Sequence, residues 1–133
     1  PDSESEQWAS DVAGRVGCPF IVLAKRRLGD RSVEISVPQV ETHAGRSPVL
    51  IDDIISSART MAVAVRQVRS VFEIAPVCVG VHAVFAPDAM QLLEDAGAAR
   101  VVTCNTLPHG SNGIDVMGEV TQAVRARVGG AAG

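Results

Sequence analysis

Val49-Leu50-Ile51-Asp52-Asp53-Ile54-Ile55-Ser56-Ser57-Ala58-Arg59-Thr60-Met61 decides how this chain reads. An apolar run delivers two adjacent carboxylates at its C-terminal end. A short loop of hydroxyls and small residues follows, and a helix begins at once, with Met61, Val65, Val68 and Phe72 marking one face. In parallel α/β sheets, ligands bind outside the carboxyl ends of the strands. A helix N-terminus at that place offers unpaired N–H groups and partial positive charge, a seat for phosphate. Ser56, Ser57 and Thr60 add hydroxyl donors. Two carboxylates beside a phosphate seat would repel the phosphate unless they face sugar hydroxyls or a bridging Mg²⁺. The plain alternative is an Asp-Asp turn followed by serine caps.

On either side of this stretch, strand and helix patterns alternate. Ser3-Glu4-Ser5-Glu6 has the spacing of a capping box, and Trp8, Val12 and Val16 follow at helical spacing until Gly17. Phe20-Ile21-Val22-Leu23 reads as a buried strand and Lys25 to Ser32, with Gly29, as a loop. Ser32 to Val37 alternates like an edge strand, closed by Pro38. Val40 to Ser47 reads as a second loop and Pro48 to Ile51 as a buried strand. The pattern predicts a strand over Val77 to Val81 and a helix over Pro87 to Ala96, ended by Gly97. A strand over Arg100 to Cys104 and a helix over Met117 to Val128 follow, with 129–133 a frayed tail. Such alternation predicts an α/β fold of three layers, a mainly parallel sheet with helices on both faces.

Composition narrows the function classes. The 133 residues suffice for one domain, and 47% apolar with 20% charged content supports a core. A net charge of −3, no tyrosine and one tryptophan argue against nucleic acid as a partner. No apolar run approaches the ~18 residues a membrane span needs, and the acidic start is unlike a signal peptide. Cys18, Cys78 and Cys104 are odd in number and widely spaced, as buried thiols in a reducing compartment would be, so the expected location is cytoplasmic. Of twelve basic residues only Lys25 is lysine. Arginine and lysine are interchangeable on a wet surface but not at a reactive site, which singles Lys25 out.

The stretch from Val49 to Met61 resembles the phosphoribosyl-binding motif of type I phosphoribosyltransferases and ribose-phosphate pyrophosphokinases. Other segments favour the second group. Leu23-Ala24-Lys25-Arg26-Arg27 is similar to its catalytic loop, and Pro1-Asp2 to the end of its Ser-Pro-Asp segment. Gly80-Val81-His82-Ala83-Val84-Phe85 is similar to its Thr-His-x-x-Phe stretch. Val101-Val102-Thr103-Cys104-Asn105-Thr106-Leu107-Pro108 is similar to its Val-Val-x-x-(Asn/Asp)-Thr-Ile-Pro. The matches run in order from Pro1 to about Val128 and correspond to the C-terminal half of such an enzyme, so residues 1–133 are expected to be one phosphoribosyltransferase-like domain of a longer two-domain protein.

The resemblance implies transfer of the β,γ-diphosphoryl group of ATP to the 1-hydroxyl of ribose 5-phosphate. It makes Lys25 and Arg27 the catalytic pair, with Arg27 also touching the sugar phosphate. It gives the ribose hydroxyls to Asp52 and Asp53, the 5-phosphate to Ser56, Ser57, Ala58, Arg59 and Thr60, and a share of Mg²⁺ to Asp2. ATP and ribose 5-phosphate are then the partners, in a homo-oligomer of dimers or hexamers, and the adenine site lies in the other half. The chain alone is expected to be inactive. Two alternatives stay open: a phosphoribosyltransferase that consumes PRPP, and a regulatory sugar-phosphate-binding relative without chemistry.

The phosphate loop departs from the family pattern Asp-Thr-(Gly/Ala)-Gly-Thr. Ser56 replaces an acid, and Arg59 replaces a glycine, although a bulky residue resists positive φ. Either residue 59 is ordinary right-handed helix, or the loop has another shape. His82 and His109, both at strand ends, read as hydrogen-bonded structural residues rather than catalytic ones.

Overall fold

The computed structural model describes residues 6–28, 32–36 and 45–129. In chain order the elements are α1 (Glu6–Val16), β1 (Ala24–Leu28), β2 (Ser32–Ser36), β3 (Val49–Ile55), α2 (Arg59–Arg69), β4 (Val77–Ala83), α3 (Ala89–Asp95), β5 (Arg100–Cys104), β6 (Asn112–Ile114) and α4 (Met117–Val128). Four strands form a sheet in the order β3-β4-β5-β6, parallel at every pairing, while β1 and β2 make a separate antiparallel ribbon. The α/β class with a parallel sheet is as the alternating pattern predicts.

Each strand lies beside its predecessor. Right-handed crossovers in one direction bring α2 and α3 to the same face, where they touch each other. Their apolar stripes meet there: Met61, Ala62 and Val65 from α2, Ala89 and Leu93 from α3, with Ile55 and Cys78 from the strands beneath. On the opposite face Ile51, Val79 and Val102, which share one row of the ladder, are half-buried. Gly17 at φ 71° and Gly97 at φ 95° follow α1 and α3 closely, the left-handed exit that glycine takes without a steric penalty.

Several expectations move. Residues 18–23 form no strand; Leu23 packs against Ala64, while Phe20 is 45% exposed. An apolar run marks burial, and period alone does not distinguish a ladder strand from a segment that only leans on a helix. The strand comes one segment later, at β1, inside the stretch that reads as a loop. There Lys25 pairs with Ile35 and Arg27 with Val33, so the inner edges of the two strands satisfy each other. Strand β6 has no periodic signature at three residues. Cys18 is exposed, unlike Cys78 and Cys104, and its N–H donates to Ala13 O at 3.0 Å in the turn that ends α1. Trp8, Val12 and Val16 face outward, and only Ala13 of α1 is buried.

Candidate functional site

Strand β3 places Asp52 and Asp53 near its C-terminal end. Asp52 is half-buried, next to Gly80 in the ladder, and Asp53 is exposed. Each carboxylate turns one oxygen back on its own chain: Asp53 N–H donates to Asp52 Oδ1 at 3.1 Å, and Ile54 N–H to Asp53 Oδ1 at 2.7 Å. Among the described residues no N–H donates to Oδ2 of either carboxylate. Burial pushes the Asp52 carboxyl up to about 6, against an ordinary 3.8.

The loop that follows is shaped by Ala58. Its φ of 57° and ψ of 4° are left-handed, and it is the sole non-glycine residue with positive φ among the described residues. Arg59 is the first residue of α2 and therefore right-handed, so the bulky side chain at the family's glycine position meets no backbone strain. A left-handed residue followed by a right-handed one makes a concavity of successive N–H groups. Ala58 also caps α2 without supplying a side-chain acceptor, and the first turn holds no acid. The helix's first main-chain bond runs from Ala62 N–H to Ala58 O at 2.8 Å, so the N–H groups of residues 59–61 have no partner within the helix. Ser56 and Ser57 are exposed beside them and Thr60 is half-buried. The arrangement is an uncapped helix end ringed by hydroxyls, suited to an anion, with two carboxylates a few residues upstream.

Side-chain hydrogen bonds knit the rim beyond β4 and β5 together. His82 Nδ1 lies 2.9 Å from Thr106 Oγ1, whose proton goes to Val81 O at 3.0 Å. Thr106 therefore accepts, and His82 carries its proton on Nδ1. His109 is the reverse: the N–H of Ser111 donates to its Nδ1 at 3.1 Å, so that nitrogen is an acceptor. Its ring lies against Phe85 with centroids 4.6 Å apart. Behind it Ser111 Oγ joins His109 to Thr103 Oγ1, which also accepts from Asn112 Nδ2 at 3.0 Å. Both histidines are hydrogen-bonded as expected; the Thr103–Ser111–Asn112 network is a feature that periodicity does not reveal.

Of the remaining site expectations, Lys25 and Arg27 occupy alternate positions of β1, a strand rather than a loop, and Asp2 lies outside the described residues. Among the described residues no three His, Cys, Asp or Glu side chains converge as a metal cluster. Mg²⁺ characteristically uses one or two carboxylates together with substrate phosphates, and the free oxygens of Asp52 and Asp53 fit that donor set. A cavity of about 250 Å³ touches the first three residues of β3, and Val12, Phe20, Met61 and Phe72 help to line it; it includes none of the candidate residues. No described helix is long and apolar enough to cross a membrane.

The family model of the phosphoribosyl transferase domain matches residues 1–117. The chain belongs to this family. It is 32% identical over 107 residues to ribose-phosphate pyrophosphokinase 2 of Archaeoglobus fulgidus, covering 80% of this chain and 39% of the relative. It is 29% identical over 124 residues to the ribose-phosphate pyrophosphokinase of Methanopyrus kandleri, 93% of this chain and 42% of the relative. The ribose-phosphate pyrophosphokinase of Sulfolobus acidocaldarius is 26% identical over 130 residues, 96% and 44%. The chain thus spans less than half the length of these curated relatives.

Proposed function

We propose that this chain supplies the ribose 5-phosphate site and the Lys25–Arg27 ribbon of a ribose-phosphate diphosphokinase. The observation that carries the reading is the pair Asp52–Asp53 followed, through left-handed Ala58, by the uncapped start of α2. The carboxylates accept hydrogen bonds from vicinal ribose hydroxyls, and the N–H groups of 59–61 with Ser56, Ser57 and Thr60 surround the 5-phosphate. Arg59 adds a cation at the same helix end. The sugar's 1-hydroxyl oxygen then attacks the β-phosphorus of ATP and gives up its proton to solvent, the bond from that phosphorus to the oxygen bridging the α-phosphate breaks, and AMP leaves with the bridging oxygen. Phosphoryl transfer of this kind depends on positioning and charge neutralisation, the role given to Lys25 and Arg27. Mg²⁺ would neutralise phosphate oxygens when bound, with Asp2 and the ribose carboxylates as its protein donors.

The test is calorimetric titration of the chain with ribose 5-phosphate, with and without Mg²⁺. Saturable binding that Asp52→Asn abolishes supports the reading; no binding at millimolar ligand sinks it. In protein carrying the rest of the relatives' length, Lys25→Ala is expected to cut turnover by ~10²-fold or more while sparing ribose 5-phosphate affinity. The family name keeps transfer from PRPP as a second reading, and pyrophosphate release from PRPP with a nucleobase would select it.

A further inference from the structure

His82 sits on β4 opposite Ile54 of β3, and Asp52 is opposite Gly80. Both pairs belong to one parallel ladder of constant register, in which Asp53 and Val81 between them are not paired. His82 is therefore one strand over and two residues further toward the C-terminal edge than Asp52. With strands about 4.8 Å apart and a rise of about 3.3 Å per residue, the two Cα atoms are about 8 Å apart, within the reach of one pentose held between a carboxylate and an imidazole.

The ring is fixed. Thr106 Oγ1 spends its single proton on Val81 O, so it binds His82 Nδ1 only as an acceptor, and this sets both the tautomer and the ring's orientation. Nε2 then carries a lone pair. The described residues give that nitrogen no partner, yet they contain no buried side-chain nitrogen or oxygen that lacks one. His82 itself is half-buried, so part of its side chain reaches the surface. We infer that His82 Nε2 is a third acceptor for the sugar phosphate, taking a hydrogen bond from a hydroxyl of the ligand that Asp52 and Asp53 hold. The inference rests on the ribose 5-phosphate reading above and adds a contact from a neighbouring strand.

His82→Asn separates the two roles, because the asparagine amide keeps a donor near the position of Nδ1 and deletes Nε2. Titrated with ribose 5-phosphate, the variant is expected to bind about tenfold more weakly than the parent chain, with its melting temperature retained. Equal affinity in parent and variant overturns the inference while leaving the ribose site standing. Absence of binding by the parent chain overturns the site reading itself. A second measurement needs no variant: in the ¹⁵N-labelled parent chain, the Nε2 resonance is expected to move upfield on adding ribose 5-phosphate, as an imidazole lone pair does on accepting a hydrogen bond. A resonance that stays put while the ligand saturates the protein overturns the proposal.

Discussion

Ile55 lies across Gly80 so closely that a methyl group on residue 80 would sit 2.7 Å from Ile55 Cδ1 and 2.9 Å from Cγ1. Ile55 is buried, so its side chain has nowhere to retreat. The missing side chain of Gly80 is what lets Ile55, three residues past Asp52, close over the neighbouring strand. Gly80→Ala is expected to cost about 1–3 kcal/mol by overpacking. Adding Ile55→Val, which removes Cδ1, should recover part of that loss although Ile55→Val alone costs about 1 kcal/mol. Urea unfolding of the two single variants and the double variant checks the sign of the coupling.

Ala58 pairs a strained backbone with a buried methyl group. Ala58→Gly relieves about 1 kcal/mol of left-handed strain but forfeits about 0.8 kcal/mol of methyl burial, so its unfolding free energy should change by less than about 0.5 kcal/mol. Ala58→Val, β-branched at positive φ, should cost more than about 2 kcal/mol and reshape the loop at the start of α2. Thermal melts of both variants decide this. A tolerated valine would mean that the left-handed turn is not what orders the loop.

Asp52 sets stability against binding. Its folded value, about 6, is above its unfolded value of 3.8, so the native state holds this proton more tightly. The resulting stability is fully present below about pH 4 and is lost as pH rises through about 6. With half the side chain in reach of water, the effect is about 1 kcal/mol. Hydroxyl recognition runs the other way, since only the ionised carboxylate is a pure acceptor. Ribose 5-phosphate affinity should therefore fall on acidification through pH 6. Asp52→Asn should raise the melting temperature at pH 7 and abolish binding, which pH-resolved melts and titrations would show.

Thr103 is fully buried and polar, with its hydroxyl bonded to Ser111 and Asn112. Thr103→Val keeps the shape but leaves Asn112 Nδ2 with only Cys104 O, at 2.8 Å, and Ser111 Oγ with only His109. The expected cost is about 1–3 kcal/mol, with Thr103→Ser milder. Because the same network backs the His109 ring, the valine variant should also broaden the His109 and Phe85 NMR signals. Sharp, unshifted signals would detach the network from the loop.

The parallel sheet and the carboxylate pair were legible because both have local causes: an apolar run, then two acids, then an immediate helix. Arg59 at the family's glycine position left two loop shapes open, and only the backbone shows that the positive φ belongs to Ala58. The Thr103–Ser111–His109 network was not legible, since its members meet through tertiary packing and share no period. Residues 20–23 misled for a related reason. Their apolar character reports that Leu23 is buried, whereas β1 is made a strand by its partner β2, which no composition rule of a single segment contains. The exposed apolar residues of α1 (Trp8, Val12 and Val16) and of α4 (Met117, Val120, Val124 and Val128) likewise show helical spacing without revealing what faces them.

The sheet's sequential order has a consequence for how it opens. Strand β4 is paired along both edges, whereas β3 has a strand on one edge only among the described residues. Amide exchange should then report two clocks. Protons on β4 wait for an opening that breaks two ladders at once, while those on β3 escape whenever its single ladder lifts. The carboxylates thus ride on the strand that can part from its neighbour first, and a ligand bridging Asp52 to β4 would slow the faster clock without touching the slower.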